Sequence, residues 1–423
     1  MDIQDFNGYP GLTKETPMVG VEMHIPKTPR RKVIICLSVT AVVLLACLLY
    51  GRSSTDTTKV ELDTAGRRSK SNSKSGFLES TTGDEKNTTK LILWYLRPNY
   101  VKPTNEGELR PLMNCPHLNC RETSDVKLLP RADAVVFDVH RAIRADNKPP
   151  RYPKQTWVFY AQESPVNVRS TVYRMDRWRA SFNWTCTYRR DSDVWMPYGI
   201  IRKSSKLPVK DYHKIAESKT KMAGWALSHC SSQGKREVFA KRLVEQGIQV
   251  EIFGGCGKKC GSRSKVGSQI CEDLASRNYS FYLAFENSLC KDYVTEKFFH
   301  MYNKDVILVA RGGVQFLESL PKGTFINTDD FTSVKDLAAY LKRLHNDKTE
   351  YINFLKRKDE FIGQDESLTY KLSPTSFWTH YHYISEPVCD MCRKLLDIDN
   401  NRNTYPDIYQ WYNEDTCVPP TDL

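Results

Sequence analysis

The sequence predicts two open α/β domains facing a cleft, carried behind a single membrane-spanning helix. Three observations predict it. Residues 33–50 ("VIICLSVTAVVLLACLLY") form an 18-residue run without a charge, near the short end of what a bilayer-spanning helix needs. From Leu91 onward, short apolar or aromatic runs recur between polar loops, the pattern of buried strands. From Met222 such runs alternate with helix-like segments, which implies a parallel sheet covered on both faces.

The anchor sets the compartment. Lys27, Arg30, Arg31 and Lys32 lie just before the apolar run, and Arg52 and Lys59 are the nearest basic residues after it. That bias predicts a cytoplasmic tail over residues 1–32 and type II topology. The long polar segment before Lys27 argues against a cleaved signal peptide. So short a span suits the thinner early secretory membranes, and favours the Golgi over the plasma membrane. Residues 51–90 are rich in Ser, Thr, Lys and Gly and read as a flexible luminal stem. The sequons at Asn87, Asn183 and Asn278 fit a luminal side as glycosylation sites. The chain has 423 residues and a net charge of +12. A luminal location excludes nucleic acid as the partner of that charge, and leaves either a solvated basic surface or an anionic ligand such as a nucleotide diphosphate.

Thirteen cysteines are present, with Cys36 and Cys47 inside the membrane run. The luminal remainder is odd in number, so at least one is unpaired or joined to another chain. Cys115 and Cys120 open the globular part, and Cys389 and Cys392 lie near its end. These four have the types for a zinc site, but an oxidising lumen favours two disulfides tying the two ends together. The pairing of Cys186, Cys230, Cys256, Cys260, Cys271, Cys290 and Cys417 stays open, with Cys290 read as bonded to a nearby luminal cysteine.

Within residues 91–215, a first domain, "LILWYL" (91–96), "DAVVFDV" (133–139) and "TWVFYA" (156–161) read as strands. The polar segment 203–214, with Pro208, reads as a linker. A second domain, 216–385, begins with strand-like "MAGWALSHC" (222–230). "KREVFAKRLVEQG" (235–247) is a helix stopped by Gly247, and "IQVEIFG" the next strand. "ICEDLAS" (helix), "YSFYLAF" (strand), "TEKFFHMYN" (helix) and "VILVA" (strand) continue the alternation. Ser333 caps a last helix over 333–347. Residues 386–423 are a tail whose CxxC is tied back to the first domain.

In an open parallel sheet, ligands bind at the carboxyl ends of the strands. "FYLAFENSLCKDYVTEKFF" (281–299) straddles such an end. A helix starting near Tyr293 would aim free backbone N–H groups into the crevice and attract phosphate. Glu296 suits sugar hydroxyls and Lys297 adds positive charge; both also read as ordinary surface residues of an amphipathic helix. Neither GxGxxG nor a Walker motif is present, and "GGCGKKC" (254–260) reads as a disulfide-pinned loop.

Residues 281–299 resemble the signature of the α1,3-fucosyltransferases. "FNWTCTYRRDSDVWMPYG" (182–199) is similar to that family's second motif, and "QESPVN" (162–167) to its acceptor-side motif. The resemblance runs from about Leu91 to Cys392. It implies a GT-B arrangement of two Rossmann-like domains, an acceptor side followed by a GDP-fucose-binding side, and inverting transfer from GDP-fucose. By position, Glu163 matches the general base that deprotonates the 3-hydroxyl of a GlcNAc acceptor. Arg236 matches an arginine on the GDP diphosphate, for which its fork is suited. Asn287, Tyr293, Glu296 and Lys297 match donor-site positions. Lys297 would offset charge on the leaving GDP.

Asp191-Ser192-Asp193 has the form of a metal-binding DxD of the other large transferase fold, GT-A. The resemblance places it in a fold that needs no chelated metal, which favours a structural or acceptor-side role, with a divalent cation stimulatory at most. The cysteine cluster around 254–290 is similar to enzymes that fucosylate the chitobiose core of glycoprotein N-glycans. Lewis-type transfer to LacNAc or LacdiNAc antennae is the alternative. Outside the family, the sequence leaves two further readings: another luminal nucleotide-sugar transferase, and a lectin on a degenerate transferase fold. Glu163, Arg236, Glu296 and Lys297 together argue against the lectin.

Overall fold

Two parallel-strand layers, each built around short, fully buried runs, make up the fold. The computed structural model describes residues 89–98, 101, 103–112, 115, 117–140, 148–168, 172–261, 265–365 and 385–423. They belong to one unit, Ser80–Leu423. The apolar run 33–50, nearly all of the stem and Asn87 lie outside the described residues. Among the described residues no helix is long and apolar enough to cross a membrane.

The first sheet is formed by β1 (Lys90–Leu96), β2 (Arg110–Pro111), β3 (Cys120–Thr123), β4 (Ala134–Asp138), β5 (Thr156–Ala161), β6 (Trp184–Thr187) and β7 (Val194–Trp195). Their order is β2-β3-β1-β4-β5-β6-β7. All pairs are parallel except β2 with β3. Every residue of β4, β5 and β6 is buried, as a sheet covered on both faces requires. The chain then runs through β8 (Gly199–Lys203) and α1 (Tyr212–Ser218). Lys210 pins this crossing by ion pairs to Asp305 (2.7 Å) and Asp359 (2.8 Å). The linker is therefore shorter than its polar composition predicts, because Asp211 caps α1 within it.

The second sheet contains β9 (Lys221–Ala226), β10 (Val250–Phe253), β11 (Tyr279–Phe285), β12 (Ile307–Arg311) and β13 (Ile326–Asn327), wholly parallel in the order β10-β9-β11-β12-β13. Helices α2 (Arg236–Glu245), α3 (Lys265–Arg277), α4 (Glu296–Tyr302), α5 (Val314–Leu317), α6 (Val334–Asn346) and α7 (Lys348–Asp359) follow in chain order. The Ser333 side chain caps α6 by accepting the Asp336 N–H. Gly247 takes a φ of +82° at the end of α2, the left-handed stop a glycine allows. β14 (Phe361–Asp365) returns antiparallel to β8.

Chain order reverses between β9 and β11, where β10 was laid to one side and β11 to the other. A crevice opens at such a switch point, outside the carboxyl ends of the strands. The loops that enter it are those after β9, leading to Arg236, and after β11, leading through Glu286–Thr295.

The tail is a structural element in its own right. Helix α8 (Ser385–Leu396) packs on the first sheet, with Val388, Met391 and Leu395 in the same apolar cluster as Ile92, Trp94 and Val158. Cys115 is bonded to Cys389 and Cys120 to Cys392. Helix α9 (Ile408–Asn413) puts Ile408 and Tyr412 into the core on the other face of that sheet. The chain then crosses to the second sheet. Cys417 is bonded to Cys290, and Asp422 grips the buried Arg311 by two hydrogen bonds of 2.6 and 2.7 Å. The tail is thus a strap over both sheets, rather than an extension tied only to the first. Cys230–Cys256 and Cys260–Cys271 complete the described disulfides, and Cys186 remains a buried thiol.

Each CxxC bond closes more than 270 residues of chain (separations 274 and 272). A loop that long removes much entropy from the unfolded chain. Replacing Cys389 and Cys392 by Ser should therefore cost about 2–5 kcal/mol. Urea unfolding should show a lower midpoint, and limited proteolysis should cut first between α8 and Cys417.

Candidate active site

Glu163 emerges at the carboxyl end of β5, two residues past Ala161. Its Oε1 accepts two good hydrogen bonds: the Tyr293 hydroxyl at 2.6 Å and the Ser164 N–H at 2.9 Å. Oε2 has no hydrogen-bond partner among the described residues. The carboxylate is thus held by one oxygen with the other free. The backbone is held as well. Tyr198 donates to the Gln162 carbonyl at 2.7 Å, and Tyr412 donates to the Glu163 carbonyl. Behind it, Ser288 of the β11 loop donates to the Ser164 hydroxyl at 2.7 Å.

The loop after β11 is closed by a buried acid. Glu286, 2% exposed, accepts the Thr295 N–H at 2.8 Å and the Thr295 hydroxyl at 2.9 Å. It also pairs with Lys297 at 3.1 Å. Lys297 pairs in turn with Glu296 at 3.0 Å and donates to the Thr295 hydroxyl at 2.7 Å. Burial pushes the Glu286 carboxyl above its ordinary pKa, and Lys297 only partly opposes this. For Glu296, burial also pushes upward, but the Lys297 ammonium prevails and holds it at about 2. Burial pulls Lys297 down, yet the two glutamates outweigh it and raise it. The set is one cation between two carboxylates, with Lys297 firmly charged.

This geometry corrects the sequence reading of the helix start. α4 begins at Glu296 and not near Tyr293. The Tyr293, Val294 and Thr295 N–H groups are taken by Cys290 O, Asp292 O and Glu286. The Glu286 carboxylate from the strand end thus already stands at the start of α4, on the N–H of its N-cap residue Thr295. Tyr293 itself, 1% exposed, sits in the apolar cluster of the first sheet and reaches Glu163. Gly312 and Gly313 let the loop pack this way. They adopt φ of +116° and +60°, and a Cβ on Gly313 would lie 2.5 Å from Val294 Cγ2.

Arg236, predicted to open a helix, is the first residue of α2 and is 3% exposed. Its guanidinium donates to Phe285 O at 3.0 Å and His229 O at 3.4 Å, while its Nε is buried without a partner. Burial lowers its pKa, against the pull of Glu286, Glu237 and Glu296. A guanidinium with spare donors and no paired carboxylate is suited to an oxyanion. Asn287 lies half-buried beside it in the fold: its carbonyl accepts the Gly234 N–H at 2.8 Å, two residues before Arg236, and its Oδ1 accepts the Ser288 hydroxyl.

The "YRRDSD" segment is a connector. Arg189 makes a two-pronged contact with Asp191 (2.9 and 2.6 Å), and Lys291 adds a third at 2.9 Å. Burial raises the Asp191 carboxyl, but these cations overcome it and hold it at about 2. Asp193 accepts from Thr185 N–H (2.8 Å), its hydroxyl (2.9 Å) and the Tyr405 hydroxyl (2.7 Å). Arg190 pairs with Asp292 of the β11 loop at 3.0 Å. Both carboxylates of the DSD are thus engaged in holding the strap and the β11 loop. Among the described residues no cluster of His, Cys, Asp and Glu has the arrangement to hold a metal ion.

The sequons divide. Asn278 is exposed at the end of α3. Asn183 instead donates from Nδ2 to Asn403 O (2.9 Å) and the Thr404 hydroxyl (3.2 Å). A glycan on Asn183 would take the place of one of these two Nδ2 hydrogen bonds. Sequence reasoning placed Glu286 and Ser288 in the polar break after the strand without giving them a role, and did not single out Tyr198 or Tyr412. Tyr412 carried no usable signal except the aromatic density of "YPDIYQWY".

Two family models match the chain: "Fucosyltransferase, N-terminal" over residues 86–199, and "Glycosyltransferase family 10 (fucosyltransferase) C-term" over residues 216–411. Alpha-(1,3)-fucosyltransferase C of Drosophila melanogaster is 34% identical over 72% of this chain and 72% of its own length. Alpha-(1,3)-fucosyltransferase fut-6 of Caenorhabditis elegans is 32% identical over 73% of this chain and 77% of its own. Glycoprotein 3-alpha-L-fucosyltransferase A of Drosophila melanogaster is 31% identical over 76% of this chain and 60% of its own. A solved α1,3-fucosyltransferase with GDP-fucose overlays with a TM-score of 0.43 and 16% identity, covering 76% of this chain and 94% of that one, a likeness too slight to place a ligand. Both halves of the sheet-bearing region are thus accounted for, and the chain belongs to glycosyltransferase family 10, the fucosyltransferases.

Proposed function

We propose that this protein is an inverting α1,3-fucosyltransferase. It moves L-fucose from GDP-β-L-fucose to the 3-hydroxyl of GlcNAc in glycoprotein N-glycans, with the core GlcNAc favoured. The observation that carries this reading is the state of Glu163: one oxygen fixed by two donors, the other free. In the reaction the acceptor oxygen attacks the anomeric carbon of fucose. The bond from that carbon to the diphosphate oxygen breaks, and the acceptor proton passes to Oε2 of Glu163. A single displacement inverts the β-linked donor to an α-linked product. The GDP leaves with added charge, which Arg236 and Lys297 would offset. Glu296 and Asn287 complete the donor side. Tyr293 is placed between the two halves.

The core preference rests on the bonded loops Cys230–Cys256 and Cys260–Cys271 beside the crevice. It also rests on the glycoprotein-directed relative among the matches. The alternative, antennary transfer, is favoured by a relative named a 4-galactosyl-N-acetylglucosaminide 3-alpha-L-fucosyltransferase, 30% identical over 70% of this chain. The enzyme would be held in the Golgi membrane by the span 33–50, with its catalytic part luminal and glycoproteins as its partners. No metal cofactor is required in this reading, because cations of the chain itself serve the diphosphate.

Glu163→Gln should keep GDP-fucose binding by calorimetry and lose turnover by on the order of a hundredfold or more; full activity would remove Glu163 as the base. Activity should persist in EDTA, whereas complete loss restored by Mn²⁺ would overturn the metal-free reading. Offered a core pentasaccharide, LacNAc and LacdiNAc together, the enzyme should label the innermost GlcNAc first, as read by linkage analysis. Label confined to LacNAc or LacdiNAc would establish the antennary alternative.

A further inference from the structure

Three tyrosine hydroxyls from three distant parts of the chain converge on residues 162 and 163. Tyr198 holds the Gln162 carbonyl, Tyr293 the Glu163 carboxylate, and Tyr412 the Glu163 carbonyl. The third comes from the strap, a segment outside the motifs of the acceptor and donor sides. We propose that Tyr412 is a positioning residue for catalysis, fixing the peptide unit that aims the Glu163 carboxylate. This rests on the reading of Glu163 as the base.

The argument turns on one peptide plane. The Glu163 C=O and the Ser164 N–H belong to the same rigid unit. Tyr412 donates to its C=O, and its N–H donates to Oε1 of Glu163 at 2.9 Å. The hydroxyl therefore acts through the plane on the carboxylate: if the carbonyl turns, the N–H loses its aim. Hydrogen bonds in series also polarise one another, so the first strengthens the second.

Tyr412 is itself immobilised. It is fully buried, and its ring meets Phe159 of β5 edge-on at 5.1 Å. Its helix is capped by Asp407, which accepts the N–H groups of Tyr409 and Gln410. The neighbouring Trp411 lies under the Arg189 guanidinium at 4.1 Å and gives its carbonyl to the same arginine. Beyond it, Cys417 is bonded to Cys290 of the β11 loop, three residues before Tyr293. The two hydroxyls that grip Glu163 thus stand on segments covalently joined to each other.

Tyr173 supplies the control. Its hydroxyl meets Asn413 of the same helix at 3.2 Å, its ring packs on Phe159 at 5.5 Å, and among the described residues it makes no hydrogen bond to residues 162–164. Losing that hydroxyl weakens the strap without touching Glu163.

The test compares full-length wild type, Tyr412→Phe, Tyr173→Phe, Glu163→Gln and the Tyr412→Phe, Glu163→Gln double variant. Tyr412→Phe should lower kcat roughly ten- to a hundredfold, with KM for GDP-fucose within about twofold. Tyr173→Phe should stay within about twofold of wild type, and the double variant should be no slower than Glu163→Gln alone. If Glu163→Gln is inactive while Tyr412→Phe matches Tyr173→Phe, the positioning role falls and the base stands. If Glu163→Gln is fully active, the base assignment falls and carries this inference with it. Should Tyr412→Phe fail to fold, 3-fluorotyrosine at 412, a stronger hydrogen-bond donor, should change kcat while KM for GDP-fucose stays within about twofold; an unchanged kcat overturns the proposal.

Discussion

One hydrogen bond joins the two halves where the chemistry would occur: the Tyr293 hydroxyl on the Glu163 carboxylate, at 2.6 Å. Its donor stands on the loop after β11 of the second sheet, and its acceptor follows β5 of the first. A charge-assisted bond of this kind is short and directional. Small displacements of either sheet would lengthen it. Much of the surrounding structure can be understood as holding those two segments in register. Ser288 meets Ser164 beside it, and Arg190 meets Asp292 across the same gap. The rings of Tyr188 and Tyr198 pack edge-on against Tyr293 at 4.9 and 6.2 Å.

The polar break in "FYLAFENSLCKDYVTEKFF" follows from that demand. A loop that must cross from its own sheet to another cannot rely on strand pairing along its length. It is instead cinched at its neck by Glu286, Thr295 and Lys297, and fastened at its far side by Asp292, Lys291 and Cys290. Burying Glu286 is costly for a carboxylate, and its raised pKa records the cost. Lys297 and the two Thr295 donors offset it. Neutralising Lys297 would leave two acids to share the site, so the cation serves the loop's shape as well as any ligand's charge.

The strands and most helices of the two sheets are legible in the sequence because their information is local. "TWVFYA" and "YSFYLAF" are continuous apolar runs, and each is a fully buried strand. Ser333 and Gly247 announce helix ends by residue type. The start of α4 was not legible. Nothing local says that a carboxylate ten residues before Glu296, Glu286, would take the Thr295 N–H where the helix starts. The strap was less legible still. Its helix α9 spans six residues, and its partners lie more than a hundred positions away in the chain. Of the candidate site, Glu163, Arg236, Tyr293 and Lys297 were named from motifs, but nothing in the sequence says that the Tyr293 hydroxyl would reach Glu163 across the gap.

The strap also bears on how the two sheets can move. Two-sheet enzymes of this kind commonly admit substrates by hinge closure, with a few residues absorbing the change. Here residues 389–392 are bonded to the first sheet, and Cys417 and Asp422 are fastened to the loop after β11 and to Arg311 at the end of β12. Opening the crevice as a hinge would pull on the segment between them, which carries α9 and Tyr412. Ile408 and Tyr412 of that segment are packed in the first sheet's core. An opening that moved α9 would also strain the bond from Tyr412 to the Glu163 carbonyl. The strap therefore couples the relation of the two sheets to the position of Glu163.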